Sequence, residues 1–247
     1  MKGQYVGDVN DYRKYGLLRA LLGSGDLSLL VAWLLTPNDE GRDGARRRYL
    51  TEPGGWRRYD DALYDFLSTT LGKDATPSLA MIEDSSMLPR THFFSEIVPD
   101  QREARALWAD RLLESARSSD LVFLDPDNGF EIASKPVGRK DSSKYATWSE
   151  VQRLWEIGSS VLVFQNHKRE KKDVTISRLA AEMRERTRPA FVEVLDTPDV
   201  FYFLAAQPQH SGILQRAMAD HLPKWHGQIR VVGLAETEGY DDKQCRR

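Results

Sequence analysis

The sequence predicts a three-layer α/β fold, with a mainly parallel sheet and an antiparallel hairpin near its C-terminal end. Three observations predict it. Short apolar runs recur along the chain with amphipathic stretches between them. The runs are continuously apolar instead of alternating, as in strands covered on both faces. Finally, "FVEVLDTPDVFYFLA" joins two such runs through a few turn residues, too few for a parallel crossover.

In chain order, the first helix is expected over residues 11–22, where Tyr15, Leu18 and Leu22 share a face and Gly23 and Gly25 supply a stop. "LSLLVAWLL" from Leu27 reads as the first strand and "LAMIE" from Leu79 as the second. Residues 36–58, rich in Gly, Arg and Asp, read as a loop excursion. A helix over 102–116 places Leu107, Leu112 and Ala116 against many charges, and "LVFLD" from Leu121 is the next strand. Thr147-Trp148-Ser149-Glu150 is a capping box that opens a helix ended by Gly158. "SVLVFQN" from Ser160, a helix over 174–186, the strands from Phe191 and Val200, and a helix over 211–222 complete the set. Residues 236–247 read as a polar tail of one α/β domain spanning 1–247.

At 247 residues and 40% hydrophobic content the chain is long enough for one large core. No stretch reaches the ~18 uninterrupted apolar residues of a membrane span, and the N-terminus lacks an apolar signal core. The lone cysteine, Cys245, permits no intramolecular disulfide. These features lead us to expect a cytoplasmic protein with no membrane partner. A net charge of −2 excludes no nucleic-acid enzyme, because such enzymes need a local positive surface, not a basic average.

Polar residues gather where strands end, and in open α/β sheets that is where ligands bind. Asp125-Pro126-Asp127-Asn128-Gly129 closes one strand and Gln165-Asn166-His167 the next. Each residue type of the first cluster also favours ordinary turns, and His167 reads equally as a loop histidine. "GDVNDYRKYG" supplies Asp8, Asn10, Asp11 and Lys14, with Asn10 or Asp11 expected as the helix cap. Cations follow three of the strands: Arg42, Arg46, Arg47, Arg48, Arg57 and Arg58; then Arg139, Lys140 and Lys144; then Lys168, Arg169, Lys171 and Lys172. If they are not merely solvated surface, they form a cationic rim around a partly acidic pocket, suited to a phosphodiester backbone with one nucleotide extruded. Trp56, Tyr59, Phe130, Tyr145 and Trp148 could stack bases there.

The layout resembles Rossmann-like methyltransferases, especially the bacterial enzymes that methylate N6 of an adenine in 23S ribosomal RNA. A polar N-terminal helix, an arginine-bearing excursion, the strand entering Asp125 and the terminal hairpin carry the likeness. Asp125 and Pro126 match the first two positions of the family's Asp-Pro-Pro-Tyr motif, with Asp127 and Asn128 in place of Pro-Tyr. Where the family has an acidic residue and a Gly-x-Gly loop, this chain has "LLTPNDEGRDG". Those glycines let backbone approach the methionine moiety of S-adenosylmethionine, so tight binding of that donor is not expected. A weaker resemblance is to the uracil-DNA glycosylase superfamily, in which an Asp-Pro turn orients water, a later asparagine reads the base and a histidine stabilises it as it leaves. Asp125-Pro126, Asn166 and His167 occur in that order.

Four functions follow from these residues. The leading expectation is a DNA glycosylase without cofactor or metal, removing a base from DNA, with modified bases of phage DNA, and so antiviral defence, as one setting. Asp125, Asp127, Asn166 and His167 would then be catalytic. Asp8, Asn10, Asp11, Lys14, Asn128, Arg47, Lys144, Lys168 and Arg169 would bind substrate. The alternatives are an S-adenosylmethionine-dependent nucleic-acid methyltransferase, a nuclease holding Mg²⁺ on Asp8, Asp125 and Asp127, and a non-catalytic binding domain.

Overall fold

The computed structural model describes residues 3, 6–23, 25–37, 46–72, 76–167 and 170–233. Its helices are α1 (Val9–Leu21), α2 (Pro53–Trp56), α3 (Asp61–Thr70), α4 (Ala80–Glu83), α5 (Arg102–Ala116), α6 (Trp148–Glu156), α7 (Lys172–Thr187) and α8 (Pro208–His221). The strands are β1 (Leu29–Ala32), β2 (Thr91–Phe94), β3 (Leu121–Leu124), β4 (Gly129–Phe130), β5 (Tyr145–Ala146), β6 (Ser160–Asn166), β7 (Phe191–Asp196), β8 (Val200–Ala206) and β9 (Arg230–Val232).

Seven strands form one mixed sheet in the order β2-β1-β3-β6-β8-β7-β9, and β4 pairs with β5 apart from it. The run β2-β1-β3-β6 is parallel throughout. β8 enters antiparallel to both β6 and β7, which is the expected hairpin, and β9 adds an antiparallel edge. Every residue of β1, β3 and β8 is buried, as continuous apolarity requires of strands covered on both faces. One core contains Leu18, Leu63 and Leu214 from α1, α3 and α8. The other contains Trp108, Val151 and Leu179 from α5, α6 and α7. Each fully buried Leu or Phe in these layers contributes about 1.5 to 3 kcal/mol of transfer free energy.

The capping box is formed as the sequence indicates: Thr147 Oγ1 accepts from Glu150 N at 3.2 Å, and Glu150 Oε2 accepts from Thr147 N at 2.9 Å. Glu150 also takes Arg105 in two hydrogen bonds of 2.6 and 2.9 Å, tying α6 to α5. Two expectations are corrected. "LAMIE" is the single-turn helix α4, because Ser78 Oγ accepts from Ala80 N and only Ile82 of the turn is buried. The second strand is instead Thr91–Phe94, entered through Arg90 at φ +50°. Within the excursion, Arg48–Thr51 forms a 3₁₀ turn that leads into α2. The polar tail, 236–247, lies outside the described residues. Among the described residues no helix is long and apolar enough to cross a membrane.

Candidate functional site

The chain crosses from β1 to β2 on one side and resumes at β3 on the other, so the strand order reverses between β1 and β3. Ligands in doubly wound sheets bind at such a switch point, outside the carboxyl ends of the strands. Asp125-Pro126-Asp127-Asn128 stands there. Asp125 N donates to Ala32 O at 2.9 Å, extending the β1–β3 pairing into the turn. At Gly129 the backbone takes φ +113°, and a Cβ would lie 2.2 Å from Gln165 Oε1. Only glycine satisfies both conditions. Gln165, fully buried on β6, accepts from Phe130 N at 3.0 Å and donates to Asn128 O at 3.1 Å. Asn166 Nδ2 donates to Asp127 O at 2.6 Å. The end of β6 therefore braces the turn that ends β3.

Below the turn lies an ion cluster. Lys14 Nζ, from α1, donates to Asp125 Oδ2 at 2.8 Å and Asp11 Oδ1 at 2.9 Å. All three groups are at most 3% exposed. The rings of Tyr15, Trp33 and Phe164 lie within 6.0 Å of the ammonium. Burial raises the Asp11 carboxyl to about 6 against the lowering influence of Lys14. Burial also opposes charge on Lys14, yet Asp11 and Asp125 together hold it well above the ordinary lysine range, so the ammonium stays protonated. Among the described residues the buried hydroxyls of Tyr15 and Tyr202 have no hydrogen-bond partner, and both feel the Lys14 and Asp125 charges.

Around the cluster, Asp8 caps α1 by accepting from Asn10 N at 2.9 Å and from Arg46 N at 3.0 Å. Asp199, in the β7–β8 turn, receives Arg13 at 2.8 Å and Arg46 at 3.0 Å, which draws its carboxyl below the usual range against the opposing effect of burial. Thr36 Oγ1 donates to Asp127 Oδ2 at 2.6 Å, joining the exits of β1 and β3. Leu34 in the same exit is fully buried at φ +44°, a strained conformation for a side chain of that size.

The sequence-derived site is thus partly brought together. Asp8, Asn10, Asp11, Lys14, Asp125, Asp127, Asn128 and Asn166 do share the C-terminal edge of the sheet. Their roles differ from those expected. The cap is Asp8, whereas Asn10 and Asp11 lie inside the first turn, where Asp11 accepts from Gly7 N. Asn166 spends its amide on the backbone of the turn. His167 lies against the Phe201 ring and 3.4 Å from Asp196, on the β7 side and not beside Asp125. Burial lowers its titration, leaving it neutral at pH 7.

The Mg²⁺ site of the nuclease alternative, on Asp8, Asp125 and Asp127, is not assembled: Asp8 accepts from Asn10 N and Arg46 N, Lys14 occupies Asp125, and Thr36 Oγ1 donates to Asp127. Among the described residues no three His, Cys, Asp or Glu side chains are placed to hold a metal. The cationic rim is also reduced. Arg57 and Arg58 line a cavity with Gly23 and Gly25, at the opposite end of α1. Arg47 donates to Val6 O, and Lys144 pairs with Asp141. Arg139 and Lys140 are exposed, while Arg42, Lys168 and Arg169 lie outside the described residues. Of the proposed stacking rings, Phe130 and Trp148 stack on each other at 4.2 Å in the core and Tyr59 packs on Trp225. Only Trp56 and Tyr145 are partly exposed. Gln165, read from the sequence as part of the polar cluster that ends its strand, is a brace of the turn, and Thr36 escaped sequence reasoning as a member of the site.

No family model and no curated protein matches the chain. Among solved structures, the crystal structure of human methyltransferase-like protein 13 in complex with SAH matches over 94% of this chain and 98% of that chain, with 11% identity and a TM-score of 0.34. At that identity and score the likeness carries no functional information. The strand order and the braced turn at the switch point assign the chain a Rossmann-like α/β architecture on their own.

Proposed function

We propose that the chain is a methyltransferase-type enzyme that acts on an exocyclic amino group of a nucleic-acid base. One observation carries this reading: the Asp125-Pro126-Asp127-Asn128 turn stands at the β1–β3 switch point and is fixed there from three sides, by Lys14, Gln165 and Asn166. The antiparallel β7–β8 hairpin beside β6 is the arrangement that the methyltransferase resemblance implies.

The geometry favours this reading over base hydrolysis for a chemical reason. A hydrolase must align water with an accessible carboxylate and stabilise the departing base. Here Asp125 is 2% exposed and paired with Lys14, Asp127 is tied to the Thr36 hydroxyl, Asn166 is committed to Asp127 O, and His167 is turned toward Asp196. An exocyclic amino group carries its nucleophile with it, a lone pair conjugated into the base that hydrogen-bond acceptors localise on nitrogen, and it gives up one N–H proton as the methyl group arrives. What it requires from the protein is a rigid acceptor turn that presents the nitrogen, and partly exposed Asp127 and Asn128 lie at the outer surface of such a turn. Arg46, Arg139, Lys140 and Lys144, at the same edge, would meet the phosphates of DNA or RNA.

The donor that this reading names is S-adenosylmethionine, which supplies an electrophilic methyl group when bound. The described exit of β1 does not fit a glycine-lined approach to it. Trp33, Leu34 and Leu35 occupy the exit, and Leu35 bridges to Ile97 with Val98 N donating to Leu35 O at 2.8 Å. No step is derived through the donor; its binding is the test. Calorimetry on the full chain is expected to show only weak saturable binding of S-adenosylmethionine, with a Kd of roughly 0.1 to 1 mM, and Asp127→Ala, a change in the acceptor turn, should leave that affinity within about twofold. No saturable heat up to millimolar donor would remove the donor from the account.

A further inference from the structure

A second cavity, of about 820 Å³, opens between β7, the edge strand β9 and the C-terminal end of α8 with the Leu222–Trp225 turn. Its walls are apolar, formed chiefly by Met218, Ala219, Leu222, Pro223 and Ile229. Two carboxylates line it, and they differ in one respect. Asp196 is neutralised, receiving Arg230 at 2.8 Å and Lys172 at 3.2 Å. Glu193, half-buried on the α8 side of β7, has no hydrogen bond or ion pair among the described residues. Burial raises its carboxyl, with only Arg184 opposing the shift. The cavity's other cations, Lys172 and Arg230, are both spent on Asp196.

A carboxylate that no described residue hydrogen-bonds or ion-pairs, set in a largely apolar cavity of ligand size, is a complementary surface for one chemical class. We propose that this cavity binds a small cation with an apolar body, an aryl- or alkyl-ammonium, with Glu193 as its counter-ion and Met218, Leu222 and Ile229 as its walls. The site is independent of methyl transfer. It touches the C-terminal edge through two residues: Asp196, which faces His167, and Gln228, whose Oε1 accepts from Arg13 Nε at 2.9 Å.

The experiment titrates 2-phenylethylammonium, 2-phenylethanol and phenylacetate into the full chain, followed by amide chemical shifts and calorimetry. The ammonium is expected to bind tightest and the carboxylate weakest, with shifts confined to β7, β9 and the end of α8. Glu193→Gln should weaken the ammonium roughly ten- to hundredfold, as for loss of a charged hydrogen-bond partner, and leave the alcohol within about twofold. Ala219→Phe, at an exposed wall position, should weaken both by filling the space while leaving the circular dichroism spectrum unchanged. Equal affinity for ammonium and alcohol, an unchanged ammonium affinity in Glu193→Gln, or no saturable binding of any probe would each overturn the proposal.

Discussion

Replacing Lys14 by methionine is expected to lower stability by about 3 to 5 kcal/mol, the range for removing one partner from a buried ion pair. Methionine keeps most of the apolar stem, so the loss reports the ammonium. Without it, Asp11 and Asp125 face each other in a cavity walled by Tyr15, Trp33 and Phe164, and the two carboxylates cannot both ionise there. The urea midpoint measures the loss, at unchanged slope if the denatured state is unaffected. The triple variant Lys14→Met/Asp11→Asn/Asp125→Asn should recover much of it, because uncharged amides no longer require a counter-ion. The pH dependence has a defined sign. Folding raises the Asp11 carboxyl from 3.8 to about 6, so the stability it contributes is fully present below 3.8 and is lost as pH rises through about 6. A protonated carboxyl also needs the ammonium less, so the penalty of Lys14→Met should be smaller at pH 5 than at pH 8. A loss under 1 kcal/mol at pH 8 would mean that the cluster is not held as described.

Gly129→Ala should cost about 2 to 4 kcal/mol of stability. Two independent costs add. The φ of +113° strains any side chain by roughly 1 to 3 kcal/mol. The new Cβ also meets the Gln165 carboxamide, which must move and give up its bond to Phe130 N, worth roughly 0.5 to 1.5 kcal/mol. A double-mutant cycle with Gln165→Ala separates them: the smaller partner relieves the contact but not the backbone strain, so the coupling should fall between about 0.5 and 1.5 kcal/mol. If Gly129→Ala is neutral, the turn is not fixed by its contact with β6.

The scaffold was legible where one element dictates its own form. Leu121–Leu124, Ser160–Asn166 and Val200–Ala206 are too apolar to lie anywhere but in a covered sheet, and Thr147 with Glu150 marks a helix start by chemistry alone. The shared edge of Asp125 and Asn166 followed from parallel crossover. Thr91–Phe94 was missed because Thr91, His92 and Phe93 stay partly exposed at the sheet edge, which leaves the strand without a continuous buried signature.

The roles in the site were less legible because partners distant in sequence decide them. Lys14 lies 111 residues from Asp125, and Asn166 lies 39 from the carbonyl it braces. Nothing local to "NDYRKYG" or "FQNH" distinguishes an internal counter-ion or a brace from a substrate contact. Phe130 and Trp148 fit stacking platforms by type, yet they stack on each other because β4 and the start of α6 meet in the core. Arg57 and Arg58 follow the first strand in sequence but reach the far end of α1 through the excursion.

The central claim is that the Asp125–Asn128 turn presents an amino group for methyl transfer. It is tested most directly by incubating the full chain with single- and double-stranded DNA and RNA and methyl-labelled S-adenosylmethionine, then digesting to nucleosides under single-turnover conditions. The account predicts label on an exocyclic amino nitrogen, formed roughly 10²-fold more slowly by Gly129→Ala, as a displacement of about 1 Å in a positioning element would produce. Abasic sites or strand breaks without label, formed at the same rate with and without the donor, would contradict it.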